Sequence, residues 1–187
     1  DVIPDVLGED FAGVLVSDCL ASYDNATAIQ HKCYSHHLKA IAKAVEARAA
    51  PGGEAREGGE GTGFLQEIKA MLKSAMLFKR LKPGLAGEEW ADVRKGLERR
   101  AASLLAPTRA DPLEEAVANR LRKQQDHLFT FLDYDAVDAT NNLAERQLRP
   151  AVISRKLSAG NKTEHGARTW EKLASLAATC AQRGESF

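Results

Sequence analysis

Long apolar runs and cysteines are scarce in this sequence. No uninterrupted apolar stretch reaches the roughly 20 residues of a membrane-spanning helix, and the N-terminus has no basic region followed by an apolar one, as an export signal has. The three cysteines, Cys19, Cys33 and Cys180, are an odd number without the spacing of a disulfide framework. These absences exclude an integral membrane protein and a disulfide-stapled secreted domain, so we expect a protein of the reducing cytoplasm.

Neither sign of charge is in excess, since 26 Lys and Arg side chains balance 26 Asp and Glu. Net charge therefore neither favours nor excludes a nucleic-acid partner. The distribution is uneven: residues 111–140 have seven acidic and three basic side chains, whereas residues 141–172 have seven basic and three acidic ones. The basic ones are Arg146, Arg149, Arg155, Lys156, Lys162, Arg168 and Lys172. On one face they can contact several phosphates, although on charge alone a solvated basic face is the stronger interpretation.

The patterning predicts little strand and much helix. Phe11–Asp18 is a short apolar block rich in β-branched residues, which favours a buried strand, and Ala28–Tyr34 is a shorter candidate. Residues 50–63 hold six of the 14 glycines and one proline, so we predict a flexible loop there. The predicted helices are one from Ser35 as N-cap to the loop, then Phe64–Leu81, Gly87–Leu105 and Pro112–Leu132, the last capped by Asp111.

The segment DATNNLAERQLRP, residues 138–150, contains Glu145 in an amphipathic stretch. We expect about two turns of helix, ended by Pro150. Glu145 and Arg149 are four residues apart, so the simplest interpretation is an exposed ion pair worth a few tenths of a kcal/mol.

A second carboxylate, Asp18, ends the first predicted strand. Carboxylates at a strand end and on a later helix can together hold divalent cations, which take oxygen ligands. A two-metal phosphoryl-transfer site needs about three carboxylates, and only Asp18 and Glu145 are candidates. Because an aspartate at a strand end is also a common turn residue, the pair alone is a weak signal.

Several motifs in the same order resemble those of one family. NNLAERQLRPAVISRKLSAGNKTEHGARTWEKLASLAATCAQRG, residues 141–184, is similar to the C-terminal signature of bacterial transposases of the insertion sequence 66 family: a paired asparagine, A-E-R, L-R-P, R-K, a glycine-rich turn and a final helix. GVLVSDCLASYD resembles the family's strand that ends in its second catalytic aspartate, with an aromatic residue, here Tyr23, five residues on. QHKCYSHHLK resembles its Q-x-x-C-x-x-H segment. Several ordered matches are far more specific than any one of them.

This resemblance implies a DDE transposase with a ribonuclease-H-like core, in which Asp18 is the second metal-binding catalytic carboxylate and Glu145 the third. The implied fold class is α+β and mostly helical, a partial ribonuclease-H-like core of one or two strands with an inserted helical subdomain. Residues 1–49 would contain the C-terminal strands and first helix of the core, residues 50–137 the loop and helical insertion, and residues 138–187 the catalytic-glutamate helix, the basic segment and the final helix.

The resemblance also implies a reaction and its partners. Mg²⁺ or Mn²⁺ would activate a water that attacks a phosphodiester at the transposon end, and the freed 3′-hydroxyl would attack target DNA. Arg146, Arg149, Arg155, Lys156 and Lys162 become candidate phosphate contacts, which fix the register of DNA without reading bases. We expect a bacterial, nucleoid-associated protein that binds transposon ends and target DNA, and a homo-oligomer, since missing core strands leave a sheet edge open to another chain.

The start of the chain departs from the family pattern. The family's first catalytic aspartate lies upstream of the matched region, and this chain begins DVIPDV without methionine. We therefore expect a fragment that is inactive alone, with a two-metal site only in the complete core. Cys19 and Leu20 stand where the family often has glycine or an aromatic residue, which puts the turn after Asp18 in question.

The remaining motif residues are Cys33, His36, Asn141 and Asn142. Cys33 and His36 have the C-x-x-H spacing of a zinc ligand pair, but zinc sites usually take four ligands and the sequence has no second such pair, so we favour a structural role. Other functions stay open: a non-catalytic DNA-binding or interaction module derived from a transposase, and a helical scaffold in which Glu145 is only an ion-pair partner. A ribonuclease or junction nuclease would use the same metal chemistry.

Overall fold

The computed structural model describes residues 7–8, 10–26, 28–49, 61–158 and 160–187. The chain divides into two compact units, Asp1–Asn141 and Asn142–Phe187. Within the described ranges it is mostly helical with one small parallel sheet, which confirms the predicted α+β, mostly helical composition. No helix in those ranges is both long enough and apolar enough to cross a membrane.

The sheet of the first unit pairs two parallel strands, β1 (Val14–Ser17) and β2 (Ile29–Lys32). In this register the first residues of the two strands pair with each other, and so do the last residues. Both strands therefore end at the same edge of the sheet, where Asp18 follows β1. Both predicted strands are present but shorter than predicted. Phe11 is exposed, so its side chain contributes no burial that would extend β1 toward the N-terminus.

The helices of the first unit are α1 (Tyr34–Ala49), α2 (Gly61–Leu81), α3 (Gly87–Leu105), α4 (Pro112–Lys123) and α5 (Thr130–Asp133), with 3-10 turns at Ala21–Tyr23, Lys82–Gly84 and Gln125–His127. The bounds predicted for α3 are confirmed. The predicted cap of α4 is confirmed too, because the Asp111 carboxylate accepts the N–H of Leu113 at 2.8 Å and Pro112 occupies the first helical position.

Two predicted helix starts are wrong. α1 begins at Tyr34, so Ser35 lies inside the helix and does not cap it; the Tyr34 N–H already has a partner in the carbonyl of Ala139. α2 begins at Gly61, within the predicted loop, and residues 50–60 of that loop lie outside the described residues. Glycine costs a helix about 1 kcal/mol relative to alanine, and the burial of Phe64 in the same first turn offsets this.

The predicted helix Pro112–Leu132 is also wrong in length, because α4 ends at Lys123. Four of the five residues 128–132 have buried apolar side chains: Leu128, Phe129, Phe131 and Leu132. A continuous helix turns only one stripe toward a core. The break therefore lets nearly consecutive side chains enter the core together, which a straight helix cannot do.

The hydrophobic core of the first unit lies among α1, α2, α3, α4 and the residues around α5. Its fully buried members include Ile41 of α1, Leu72 of α2 and Leu121 of α4. At its rim, Arg48 of α1 donates to Glu114 of α4 at 2.8 Å. The core and this ion pair together hold α1 against α4.

The second unit contains α6 (Asn142–Ser158) and α7 (Glu164–Arg183). The prediction that Pro150 ends the first of these helices is wrong, since α6 continues through it. Proline removes the N–H that would bond the carbonyl of Arg146 and costs about 3 kcal/mol in a helix interior. Arg146 is exposed, so water can satisfy that carbonyl and the helical bonds on either side keep the helix going.

Local signals define the ends of α7. The Thr163 hydroxyl accepts the N–H of Gly166 at 3.1 Å, and Gly184 closes the helix in the left-handed conformation with φ of 71°. No described side chain of α6 or α7 is buried. These helices are therefore defined by caps and propensity more than by a core of their own.

Candidate functional site

Asp18 lies at the carboxyl end of β1 and is half-buried. Its Oδ1 accepts the N–H of Leu20 at 3.0 Å, while the Ser17 hydroxyl donates to the Asp18 carbonyl, also at 3.0 Å. The side chain thus has the turn-forming role that such an aspartate often has. Its Oδ2 accepts no hydrogen bond from the described residues, so one carboxylate oxygen remains to bind a cation.

The thiol of Cys19, the residue that follows Asp18, lies close to the imidazole ring of His37. The Cys19 Sγ lies 3.7 Å from Nε2 and 3.9 Å from Nδ1 of His37. Burial lowers the pKa of His37 to about 3, with the charge of Arg120 acting in the same direction, so the ring is neutral at physiological pH. Burial also raises the pKa of the Cys19 thiol, although Arg120 opposes this. The pair is therefore a neutral thiol and a neutral imidazole, so Cys19 is not in the thiolate form in which cysteine binds metals.

An ion pair between a buried lysine and an exposed aspartate lies at the end of β2. Lys32 is fully buried, and its Nζ donates to Asp24 at 3.1 Å while Gln124 donates to the same carboxylate oxygen at 3.2 Å. Burial acts to raise the pKa of Asp24, but these two hydrogen bonds outweigh it and the pKa is lowered. The Lys32 Nζ also lies 5.9 Å from the centre of the Tyr23 ring. The positive charge of Lys32 is thus balanced within the first unit.

Cys33 and Asn141, two residues of the predicted structural motif, are in contact. Cys33 is fully buried, and its Sγ accepts the N–H of Asn141 at 3.1 Å. Of the other two residues of that motif, His36 is half-buried in the first turn of α1 and Asn142 is the exposed first residue of α6.

Glu145 lies exposed in the first turn of α6, in the second unit. Residues four and seven apart share a helix face, so Arg149 and Lys156 lie on the same face as Glu145, with Arg146 at its edge. Arg155 lies on a different face. Asp18 belongs to the first unit and Glu145 to the second.

The predicted phosphate contacts are all exposed: Arg146, Arg149, Arg155 and Lys156 on α6 and Lys162 in the connection to α7. Within the described parts of the chain, none of these five cations forms an ion pair. By contrast, Arg168 of α7 binds Glu164 at 2.5 Å.

Two features of the site were missed by the sequence analysis. The buried Lys32 was one, because a lysine in a short segment is most often solvated; its place between the buried His31 and Cys33 was the only local signal. The Cys19–His37 pair was the other, since its partners are 18 residues apart and no spacing rule joins a turn to the first helix.

Comparisons with known proteins place these residues in a family. Residues 1–169 match the family described as "Transposase IS66 family". An uncharacterized protein, y4qI of Sinorhizobium fredii (strain NBRC 101917 / NGR234), is 36% identical over 70 residues, which are 37% of this chain and 13% of that protein. The aligned segment is thus a small part of the relative. No solved structure matches the chain.

Proposed function

Because the chain belongs to the IS66 family of transposases, we propose that it is part of a DDE transposase that cleaves and joins DNA with divalent metal ions. The family match over residues 1–169 is the observation that carries this proposal. The proposal includes a ribonuclease-H-like core, of which β1, β2 and α1 in residues 1–49 form part, a helical insertion in residues 50–137, and a catalytic-glutamate segment in residues 138–187.

In this proposal Asp18 and Glu145 are two of three carboxylates that hold Mg²⁺ or Mn²⁺. Their chemistry fits, because both ions prefer carboxylate oxygens, Oδ2 of Asp18 is not engaged by the described residues, and Glu145 is exposed on the first turn of a helix. Bound metal ions supply an activated water and neutralise charge that develops on the phosphate. The carboxylates themselves form no bond to DNA.

The cations of α6 have the proposed role of binding the DNA backbone. Arg149 and Lys156 share a face with Glu145, so a strand bound to them lies beside the same carboxylate. Arg146, Arg155 and Lys162 extend the basic surface, and phosphate contacts of this kind set register without sequence preference. DNA at the transposon ends and at the target is the partner class, and a homo-oligomer is part of the proposal.

Nicking of supercoiled plasmid tests the proposed reaction. A version extended upstream, so as to include the family's first catalytic aspartate, should nick plasmid with Mn²⁺ and not with EDTA. Asp18→Asn or Glu145→Gln should reduce nicking at least about 100-fold, as loss of a metal-binding group does. Asp92→Asn and Glu171→Gln, two exposed acidic positions outside the site, are the matched controls. Equal activity in all four variants would reject the carboxylate assignment.

A second candidate is a DNA-binding module derived from a transposase, without catalysis. The observation in its favour is the set of five exposed cations around α6 that form no ion pair with a described residue. Such a module binds DNA with a steep dependence on salt and no need for Mg²⁺. Binding that is unaffected by EDTA, together with no nicking by the extended version, would favour it.

A further inference from the structure

The segment just before α6 is held by contacts to the end of β2 and the start of α1. Besides the hydrogen bond from the Asn141 N–H to Cys33 Sγ at 3.1 Å, the Tyr34 N–H donates to the Ala139 carbonyl at 2.9 Å. Nε2 of His31 lies 3.1 Å from the same carbonyl oxygen. Residues 31–34 thus make three polar contacts with residues 139–141. Two of these contacts join residues that are 108 positions apart in the sequence.

One side of each contact is fully buried, which makes the contacts more than incidental. His31, Cys33 and Tyr34 are all fully buried. A buried main-chain N–H or carbonyl without a partner is destabilising, so the segment carrying Ala139 and Asn141 fits here only in the register that matches these groups. A shift by one residue would leave the Asn141 N–H or the Ala139 carbonyl unsatisfied.

The His31 ring links two parts of the chain. Its Nδ1 lies 3.2 Å from the carbonyl oxygen of His127, and its Nε2 faces the Ala139 carbonyl. Its ring also packs on Phe131, with centroids 4.9 Å apart. Carbonyl oxygens only accept, and a neutral imidazole has a single N–H. Because burial lowers the pKa of His31 and favours this neutral form, the ring donates to one of the two carbonyls and lies within contact distance of the other. An imidazole ring is the side chain that reaches both carbonyls from one position in β2.

We propose that His31, Cys33 and the Tyr34 N–H form a clamp on residues 139–141 that fixes the main chain immediately before α6, the helix that carries Glu145. On this basis His31 and Cys33 are positioning residues for the metal-dependent reaction, and this role rests on the proposed function. The clamp also gives the cysteine of the C-x-x-H segment a structural role, since the Cys33 sulfur accepts the Asn141 N–H.

Amide hydrogen exchange on this chain tests the contacts directly. Cys33→Ala removes the acceptor and should speed exchange of the Asn141 N–H about five- to tenfold, as expected for the loss of one hydrogen bond. Exchange at Ile68 and Leu72, in the core of the first unit, should stay within about twofold. Cys33→Ser keeps an acceptor and should restore part of the protection. Cys180→Ala, which removes a cysteine of α7, is the matched control and should leave Asn141 unchanged.

Two exchange results would overturn the clamp. One is unchanged exchange of Asn141 in Cys33→Ala. The other is equal acceleration at Asn141, Ile68 and Leu72, which would mean that the substitution destabilises the unit as a whole. Should Cys33→Ala fail to fold, the comparison of Cys33→Ser with the unsubstituted chain decides, because the shorter Ser oxygen weakens the same single contact.

Kinetics of the upstream-extended version test the positioning role. Cys33→Ala should lower kcat for plasmid nicking about tenfold with KM for DNA unchanged, and Cys33→Ser should recover part of kcat. Unchanged kcat despite faster Asn141 exchange would reject positioning. If the unsubstituted protein shows no metal-dependent nicking, the proposed function fails and positioning with it, whereas the exchange data still show separately whether the contacts exist.

Discussion

The two units of the chain differ in what stabilises their helices. The first unit has a hydrophobic core to which α1, α2, α3 and α4 all contribute fully buried or nearly buried side chains. In the second unit no described side chain of α6 or α7 is buried, and large apolar side chains such as Leu148 and Leu157 are 62% and 83% exposed. Burial supplies most of the favourable free energy of folding, so the stability of this chain resides in its first unit.

The two units also differ in how their charged side chains are paired. In the first unit, acids and bases are paired across helices, as in Arg48 with Glu114 and Arg94 with Asp133. In the second, the cations that precede α7 form no ion pair with a described residue, and Pro150 interrupts the bonding of α6. The first unit thus uses charged side chains to connect its own helices, whereas the cations that precede α7 are not engaged in this way by a described residue.

Core truncation should show the largest difference between the units. Leu72→Ala in α2 should lower the free energy of unfolding by about 3 kcal/mol, because it removes a fully buried side chain. Leu157→Ala in α6 should change it by less than about 0.5 kcal/mol. Urea unfolding followed by Trp90 fluorescence, in a Trp170→Phe background, measures the first unit alone. A large effect of Leu157→Ala on that transition would contradict the comparison.

Acid should destabilise the first unit selectively. The pKa of His37 is about 3 in the folded chain and about 6.5 when unfolded. The unfolded chain therefore binds the proton first as the pH falls, and stability is lost between pH 6.5 and 3. The slope is about 1.4 kcal/mol per pH unit for this group, or roughly 2–3 kcal/mol from pH 6.5 to 4.5. Burial also lowers the pKa of His31, so protonation of this residue adds to the loss of stability in acid.

The check is urea unfolding at several pH values. His37→Gln should flatten the slope over this range, whatever it does to stability at pH 7. His165→Gln, at an exposed position of α7, should leave the slope as it is. A slope that survives His37→Gln unaltered would assign the acid sensitivity to other groups.

Removing a helix cap should have a smaller effect. Asp111→Ala deletes the acceptor for the Leu113 N–H at the start of α4, which should cost about 1 kcal/mol in the first unit's unfolding transition. Thr163→Ala removes the cap of α7 and should reduce the helicity of the second unit, followed by circular dichroism, without moving the first unit's midpoint. A shift of that midpoint by Thr163→Ala would show that the two units unfold together.

The smallest expected effect is on DNA affinity. Arg149→Gln and Lys156→Gln should each weaken binding to a random-sequence duplex by about threefold and reduce the salt slope by about 1. Fluorescence anisotropy at several salt concentrations measures both quantities. Lys95→Gln, an exposed cation of α3, is the control. If it weakens binding equally, attraction is spread over the whole surface and the special role of α6 is wrong.

Local patterns predicted much of the helical structure. Neighbouring residues alone predicted the helix Gly87–Leu105, from its apolar spacing, and the start of α4, from the pair Asp111–Pro112. The structure agrees with both predictions. The end of α4 could not be predicted in this way. It depends on the burial of Leu128 and Phe131, which is a property of the assembled core and overrides local helical propensity.

The contacts around the candidate site could not be predicted from the sequence, and the roles of its two carboxylates stay a prediction. Asp18 and Glu145 are marked by motifs, whereas the contact between Cys33 and Asn141 joins residues 108 positions apart, and a single sequence has no signal for such a pair. Lys32 was missed for a related reason, since its burial depends on Asp24 and Gln124. Pro150 was misjudged because an exposed helix can tolerate the lost hydrogen bond that a buried one cannot.

Calorimetric titration with Mn²⁺ tests the central claim most directly. The chain, its upstream-extended version, and the Asp18→Asn, Glu145→Gln and Glu171→Gln variants of each should be compared. We predict tight binding by the extended version alone, lost in Asp18→Asn and Glu145→Gln and kept in Glu171→Gln. Binding by neither version, or binding that survives both substitutions, would contradict a metal site built on Asp18 and Glu145.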